Sequence, residues 1–454
     1  MRTFVNISKI KLFLGFVKMP ILIIITCSML FARSFVGLLF FGYPLGYFLT
    51  FLGLLLSLIL LFIPKRFASL LYFNNIQFYS LKGIVASFFI INLVNGGDFL
   101  DPYTYKSSSY IWTAGFIFLG VLIKSEIEVK NEYFFIVIIF VPFFTYLFAS
   151  GNYPNRIIDF FILNSDKFQF LKASDLFIGY ISVNFLLKYF LKSQNLRFLY
   201  FLCSSALLLP IMLFSSRGSF VGVLIYMIFE LFYSRRFILS NRIRVSIYLL
   251  ISLLFFSVSV LRIDNSELSR ASVDQLINNA SAVSSSLENI ASNKDNVNVW
   301  FSFYWHYGRL ESTDPTTNWR LDIWQDVVHD LIDENRIFHG YGYNEVFPQM
   351  LDPTAPGRLG SDGMNENIHN YFVNILARGG LIQFALFITF HLGLIAYWKD
   401  KSNNYQILMY IIPSFFVSSL DITMEGVQYP LIYYFFLYYF LQNSTKVKVV
   451  ELYG

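Results

Sequence analysis

The chain has 454 residues, of which 56% are apolar and 14% charged, and its mean hydropathy is +0.55. Soluble domains carry about 25% charged residues, so these proportions exclude an ordinary soluble globular protein and point to a polytopic membrane protein. The net charge of +5 conceals an acidic stretch, residues 263 to 368, whose six basic and sixteen acidic side chains sum to −10, and this distribution gives no argument for nucleic-acid binding.

The first 34 residues combine a basic start with an apolar run, as a secretory signal does, but the cleavage-site pattern around Phe31-Ala32-Arg33-Ser34 is weak. An uncleaved first membrane helix is the better reading. Twelve apolar segments follow the chain, near residues 19 to 40, 46 to 63, 79 to 95, 109 to 123, 133 to 150, 174 to 190, 198 to 214, 218 to 234, 245 to 262, 371 to 397, 406 to 420 and 428 to 442. Each approaches the ~20 residues with which a helix crosses a hydrocarbon core of ~30 Å, and a helix satisfies its own backbone there. Lys and Arg in the short connections divide twenty against six, which places both termini in the cytoplasm and the long loop outside. The expected division is therefore 1–262, nine spans; 263–368, an extracytoplasmic loop; and 369–454, three spans and a tail. Cys27 and Cys203 fall inside predicted spans and read as packing residues.

Several polar residues gather at the outer face. Arg156 in Tyr153-Pro154-Asn155-Arg156, with Lys167 and Lys172, runs against the positive-inside pattern. Asp175 opens the sixth segment, and Arg217 in Ser215-Ser216-Arg217-Gly218 lies between the seventh and eighth. A charge at mid-membrane costs about 2.5–3.5 kcal/mol on insertion scales, so Arg217 pairs, snorkels to lipid phosphate or serves a function.

Within the long loop, residues 264 to 295 have the loose apolar spacing of one or two surface helices. The aromatic run Trp300, Phe301, Phe303, Tyr304, Trp305 and Tyr307 suits anchoring at headgroup depth or stacking on sugar rings. After Asp314-Pro315, the spacing of Leu321, Trp324, Val327, Val328, Leu331 and Ile332 predicts a helix over 319 to 334 with Asn318 as N-cap. Arg320 shares a face with Trp324, and its plain alternative is a surface ion pair with Asp322 or Asp326. Gly340-Tyr341-Gly342 marks a tight turn or a close backbone approach. His369-Asn370 stands where the loop meets the tenth segment, at the depth of a lipid head group. Asp421 and Glu425 occupy the outward turn before the last segment, where they suit orienting arginines, acting as a base, or neither. His391 reads as a packing histidine, and His306, His329 and His339 lack metal-ligand spacing, so no metal site is expected.

Taken in order, Ser215-Ser216-Arg217-Gly218, Arg320-x-x-x-Trp324, Gly340-x-Gly342, His369-Asn370 and Leu376-Ala377-Arg378-Gly379-Gly380-Leu381 resemble the O-antigen ligase and Wzy-type O-antigen polymerase superfamily. Relatives often carry an acidic residue where Arg378 stands, so no role is carried to that position. The resemblance implies an all-α inner-membrane protein of about twelve transmembrane helices with one large helical periplasmic loop, similar to multi-span glycosyltransferases. It implies a metal-independent, inverting transfer without cofactor, from an undecaprenyl-diphosphate-linked glycan to lipid A-core or to a second lipid-linked glycan. On that basis His369, Arg320 and Arg217 are the expected catalytic residues. Arg217, Arg320, Trp324, Gly340, Gly342, Asn370 and Arg156 are expected to bind substrate. A ligase is slightly preferred because of the compact His369-Asn370 helix start; a polymerase, or in another class a lipid-linked sugar transporter, is the alternative. Against a transporter stand the absence of an internal repeat and the gathering of polar candidates at one face.

Overall fold

The computed structural model describes residues 7–65, 73–123, 132–149, 153–169, 171–265, 302–352, 358 and 366–444. The chain is mostly helical, and helical structure occupies each of the twelve apolar segments. Among the described residues six helices are long and apolar enough to cross a membrane: Met19–Val36 at the end of α1 (Ile7–Val36), α2 (Leu45–Phe62), α3 (Asn75–Val94), α11 (Gln194–Ser215), Arg242–Arg262 of α14 (Arg242–Asn265) and α16 (Tyr371–Ser402). This is the build of an integral membrane protein.

Two helices form the centre. In α10 (Ala173–Phe190) fifteen consecutive residues from Ala173 to Leu187 are buried, and α18 (Gln428–Gln442) is buried from Gln428 to Leu441. A helix apolar on all sides belongs inside a bundle. Tyr410 of α17 (Leu408–Ser418) stacks on Tyr433 of α18, ring centroids 5.4 Å apart, one of many aromatic pairs that each add about 0.5–1.5 kcal/mol beyond area burial. The periphery is the reverse: α14 packs on α11 but exposes Leu250, Leu253, Leu254 and Leu261, an apolar face suited to lipid.

The described part of the long loop has its own small core, formed by Ile323, Val327 and Leu331 of α15 (Pro315–Asp333) against Phe347, Met350, Ile368 and Ala377. The expected helix 319 to 334 is present but starts earlier. Asp314 caps it, accepting from the Thr317 N–H at 2.9 Å, and Pro315 fills the first turn. Asn318, the expected cap, instead accepts from the Ser312 N–H at 2.9 Å.

The loop is not wholly helical. Phe303–His306 (β3) and Arg309–Ser312 (β4) pair antiparallel, beside a second short pair at Leu39–Phe40 (β1) and Tyr43–Pro44 (β2). Tyr307 and Gly308 close the β3–β4 hairpin with φ of 47° and 80°, the two positive values that a two-residue turn of matching twist requires. Phe303, Tyr304, Trp305 and Tyr307 are exposed on it. Of the expected surface helices over 264 to 295, Asp264 and Asn265 end α14, and the rest, with Trp300 and Phe301, lies outside the described residues.

The loop docks on α16 through a break in that helix. Gly380 has φ of 68°, and a Cβ there would lie 2.2 Å from the Phe338 carbonyl oxygen. The break frees backbone groups of α16, and the loop takes them up: Tyr341 N–H donates to the Ala377 carbonyl (2.7 Å), Gly342 N–H to that of Arg378 (3.0 Å), and Leu381 N–H to that of Ile337 (2.7 Å). Gly340, φ 70°, has room for no side chain, since a Cβ would meet the carbonyl oxygens of Ala377 and Arg378 at 2.5 Å. Gly340-x-Gly342 and Arg378-Gly379-Gly380 are thus two halves of one joint.

Candidate active site

Four stretches of chain meet at one end of the bundle. Ser216 caps α12 (Arg217–Tyr233), accepting from Ser219 N–H, and so presents Arg217 in the first turn. The Arg217 Nη1 lies 2.9 Å from Asp314 Oδ1, while the other oxygen of Asp314 caps α15. One carboxylate therefore ties the loop helix to the membrane helix that carries Arg217. Burial alone would raise the Asp314 carboxyl, but hydrogen bonds from Thr317 and the Arg217 charge outweigh it and hold the group below the usual range.

Arg320 points away from Asp322 and Asp326, whose carboxylates are taken by Arg309 (2.7 and 2.8 Å) and by the buried Arg358. Positions two and six residues along a helix face away from Arg320, and among the described residues it forms no ion pair with either aspartate. Arg320 instead reaches across to the α17–α18 turn, donating from Nη1 to the Leu420 carbonyl at 2.6 Å. Its Nε is buried and has no hydrogen-bond partner among the described residues. Burial lowers its pKa, with the charges of Asp421 and Asp314 opposing; a guanidinium starts so high that it stays charged.

His369 lies beside this arginine. Trp324 donates its indole N–H to the Ile368 carbonyl at 2.6 Å, and the Trp319 ring meets the His369 ring edge-on at 5.3 Å. Asn370 caps α16, its Oδ1 accepting from Phe372 and Val373 N–H at 3.0 and 3.1 Å. Between these fixed neighbours His369 takes φ of 54°. Burial, then the charge of Arg320, then that of Lys172, lower its pKa to about 4 against the pull of Asp421, so the imidazole is neutral at pH 7.

The structure thus brings Arg217, Arg320, Trp324, His369 and Asn370 into one connected group. Gly340 and Gly342 lie at the α16 joint, a scaffold contact that accounts for both. Arg156 is exposed on α9 (Asn155–Asn164), and among the described residues no polar contact joins it to the group. One cation and one acid, Lys172 and Asp421, complete the neighbourhood. Lys172 precedes α10, where burial, then the charge of Arg33, lower its pKa against Asp421 and Asp175. Asp421 acts on Arg320, His369 and Lys172 alike. Their sequence signal was only their place at the outer ends of segments. Arg378 is a bolt: it donates to the carbonyls of Gly342 (3.2 Å) and Glu345 (2.5 Å) and to the Tyr103 hydroxyl (3.2 Å), and lies 3.8 Å from the Phe347 ring centre.

Two guanidinium groups held around a neutral imidazole, Arg320 with its Nε unpartnered among the described residues, are suited to a polyanion such as a phosphate ester. A family model described as O-antigen ligase matches residues 201–388. Over those residues the chain is similar to the O-antigen ligase family. The O-antigen ligase match runs from within α11 into α16 and so contains Arg217, Arg320, Trp324, the glycine joint, His369 and Asn370. Arg156, Lys172 and Asp421 lie outside it. Among curated proteins none matches the chain.

Proposed function

We propose that this protein transfers a glycan from undecaprenyl diphosphate to an acceptor hydroxyl at the periplasmic face of the inner membrane, with inversion at the anomeric carbon and no metal in the step. Convergence of Arg217, Arg320 and His369, all within the O-antigen ligase match, carries the reading. The acceptor oxygen attacks the anomeric carbon, the bond from that carbon to the diphosphate oxygen breaks, and the departing pyrophosphate carries away the electron pair. Fixed positive charge must meet that developing anion. Arg320, buried with a donor to spare, and Arg217, half-exposed at a helix start, supply it. Neutral His369 beside Arg320 and Lys172 adds a hydrogen bond to the diphosphate or takes the acceptor proton.

The ligase is the preferred form, with lipid A-core as acceptor. A lipopolysaccharide gel on a deletion strain tests it. Bare core with accumulated lipid-linked polymer indicates a ligase, and core capped with a single repeat indicates a polymerase. Arg320→Ala or His369→Ala should fail to restore the ladder while the protein remains in the membrane; normal laddering in both rejects the assignment.

A further inference from the structure

Glu425 stands in the turn between α17 and α18, and both of its carboxylate oxygens are buried without a hydrogen-bond partner among the described residues. Buried carboxylates are normally held by donors, and leaving one bare is costly. The counter-charge acting on it is Arg378 of α16, whose Nη groups are committed to Gly342, Glu345 and Tyr103 and whose Nε makes no hydrogen bond to it, so Arg378 acts on Glu425 through its field. Ser109 of α5 (Ser109–Trp112) donates to the backbone carbonyl of Glu425 at 2.8 Å, leaving the carboxylate bare. On its own turn, Asp421 repels it. Burial first, then Asp421, outweigh Arg378 and push the Glu425 carboxyl up to about 7.

The same turn is part of the site. Arg320 holds the Leu420 carbonyl at one end of it, Ser109 holds the Glu425 carbonyl at the other, and Asp421 between them acts on His369, Lys172 and Glu425 together. His369 lies among cations that disfavour its proton, whereas Glu425 lies where a proton is welcome near neutrality.

We propose that Glu425 is the general base that receives the proton of the acceptor hydroxyl, an inference that rests on the glycosyltransferase reading above. As the acceptor oxygen bonds to the anomeric carbon and undecaprenyl diphosphate leaves with the electron pair of the broken bond, the hydroxyl proton passes to a Glu425 carboxylate oxygen. His369 is then left to the diphosphate. A base is most effective when its pKa lies near the working pH, and such groups contribute about 10²–10⁴-fold.

The test uses full-length protein in nanodiscs, undecaprenyl diphosphate carrying a labelled glycan of the host polymer as donor, and lipid A-core and a second lipid-linked glycan offered as acceptors. The wild-type rate should rise with pH across about pH 6 to 8, where neither phosphate of a diphosphate diester titrates. Glu425→Gln should bind donor as wild type does, lose about 100-fold or more in transfer and lose the rising limb. Glu425→Asp should keep a limb with a displaced midpoint. A Glu425→Gln rate within threefold of wild type, or a limb that survives in Glu425→Gln and vanishes in His369→Gln, overturns the proposal. Should Glu425→Gln fail to bind donor, a flat wild-type profile, or an Asp variant with an undisplaced midpoint, overturns it. Wild-type protein that transfers to neither acceptor removes the glycosyltransferase reading itself, a result distinct from all of these.

Discussion

Trp324 donates its indole N–H to the carbonyl of Ile368 at 2.6 Å, one residue before His369. This is how a loop helix sets the position of an imidazole on the approach to a membrane helix. Trp324→Phe keeps the ring and removes the donor, so His369 loses a constraint on a backbone already at φ 54°. The expected result is a fall in kcat of about tenfold with KM for donor changed by less than threefold, since small misplacements of catalytic groups act on rate. A change confined to KM would show that Trp324 binds substrate directly.

In the proposed transfer Arg320 meets the diphosphate with a planar fork. Arg320→Lys preserves the charge but supplies a point cation, and it loses either the donation to the Leu420 carbonyl or the reach toward substrate. Transfer should fall by about 10²–10³-fold in the Lys variant, the range for one lost transition-state donor. Arg217→Lys, half-exposed and already sharing Asp314, should fall less. Reconstituted transfer assays on both variants compare the two directly; equal tolerance of lysine at both positions rejects a bidentate role for Arg320.

His369 carries a pKa lowered from 6.5 to about 4. The folded state therefore binds fewer protons than the unfolded one between about pH 4 and 6.5, so stability rises with pH through that window and is lost on acidification. An added diphosphate should reverse the local sign, because an anion beside the ring favours the imidazolium. Donor binding is expected to take up a proton near pH 5.5 to 6 and to tighten as pH falls toward about 5. Isothermal titration in buffers of different ionisation enthalpy measures that uptake. His369→Gln should abolish it; uptake unchanged in that variant would place the proton elsewhere.

Much of this architecture was legible in the chain, for physical reasons that differ by region. Apolar runs of membrane length located the helices because lipid permits so few backbone solutions. Arg320, Trp324 and His369 were singled out by their order along the chain, and the structure places them together. What escaped depended on partners distant in sequence. That Arg309 and Arg358 would take Asp322 and Asp326, and that Arg320 would reach Leu420 a hundred residues away, is not written in helix spacing. The β3–β4 hairpin was hidden because its strands read as an aromatic cluster and its turn is Tyr307-Gly308, without the Asn-Gly signature. Lys172 and Asp421 matter through space, although they stand 249 positions apart in the chain.

The glycine joint offers a prediction that separates scaffold from chemistry. Gly380, at φ 68°, would bring a Cβ within 2.2 Å of the Phe338 carbonyl oxygen, and Gly340 would meet two carbonyl oxygens at 2.5 Å. The left-handed backbone alone costs a non-glycine residue about 1–2 kcal/mol, and these clashes add to it because backbone cannot yield as a side-chain tip can. For Gly342 the nearest atoms belong to the Asn95 side chain, with its closest approach at 3.0 Å. Alanine at Gly380 or Gly340 should therefore lower thermal stability and membrane yield more than alanine at Gly342. In all three variants the protein that does fold should keep most of its turnover per molecule. Thermal melts in detergent paired with transfer per folded molecule decide it. A Gly342→Ala variant of normal stability that fails to bind donor would instead make that glycine part of the substrate surface.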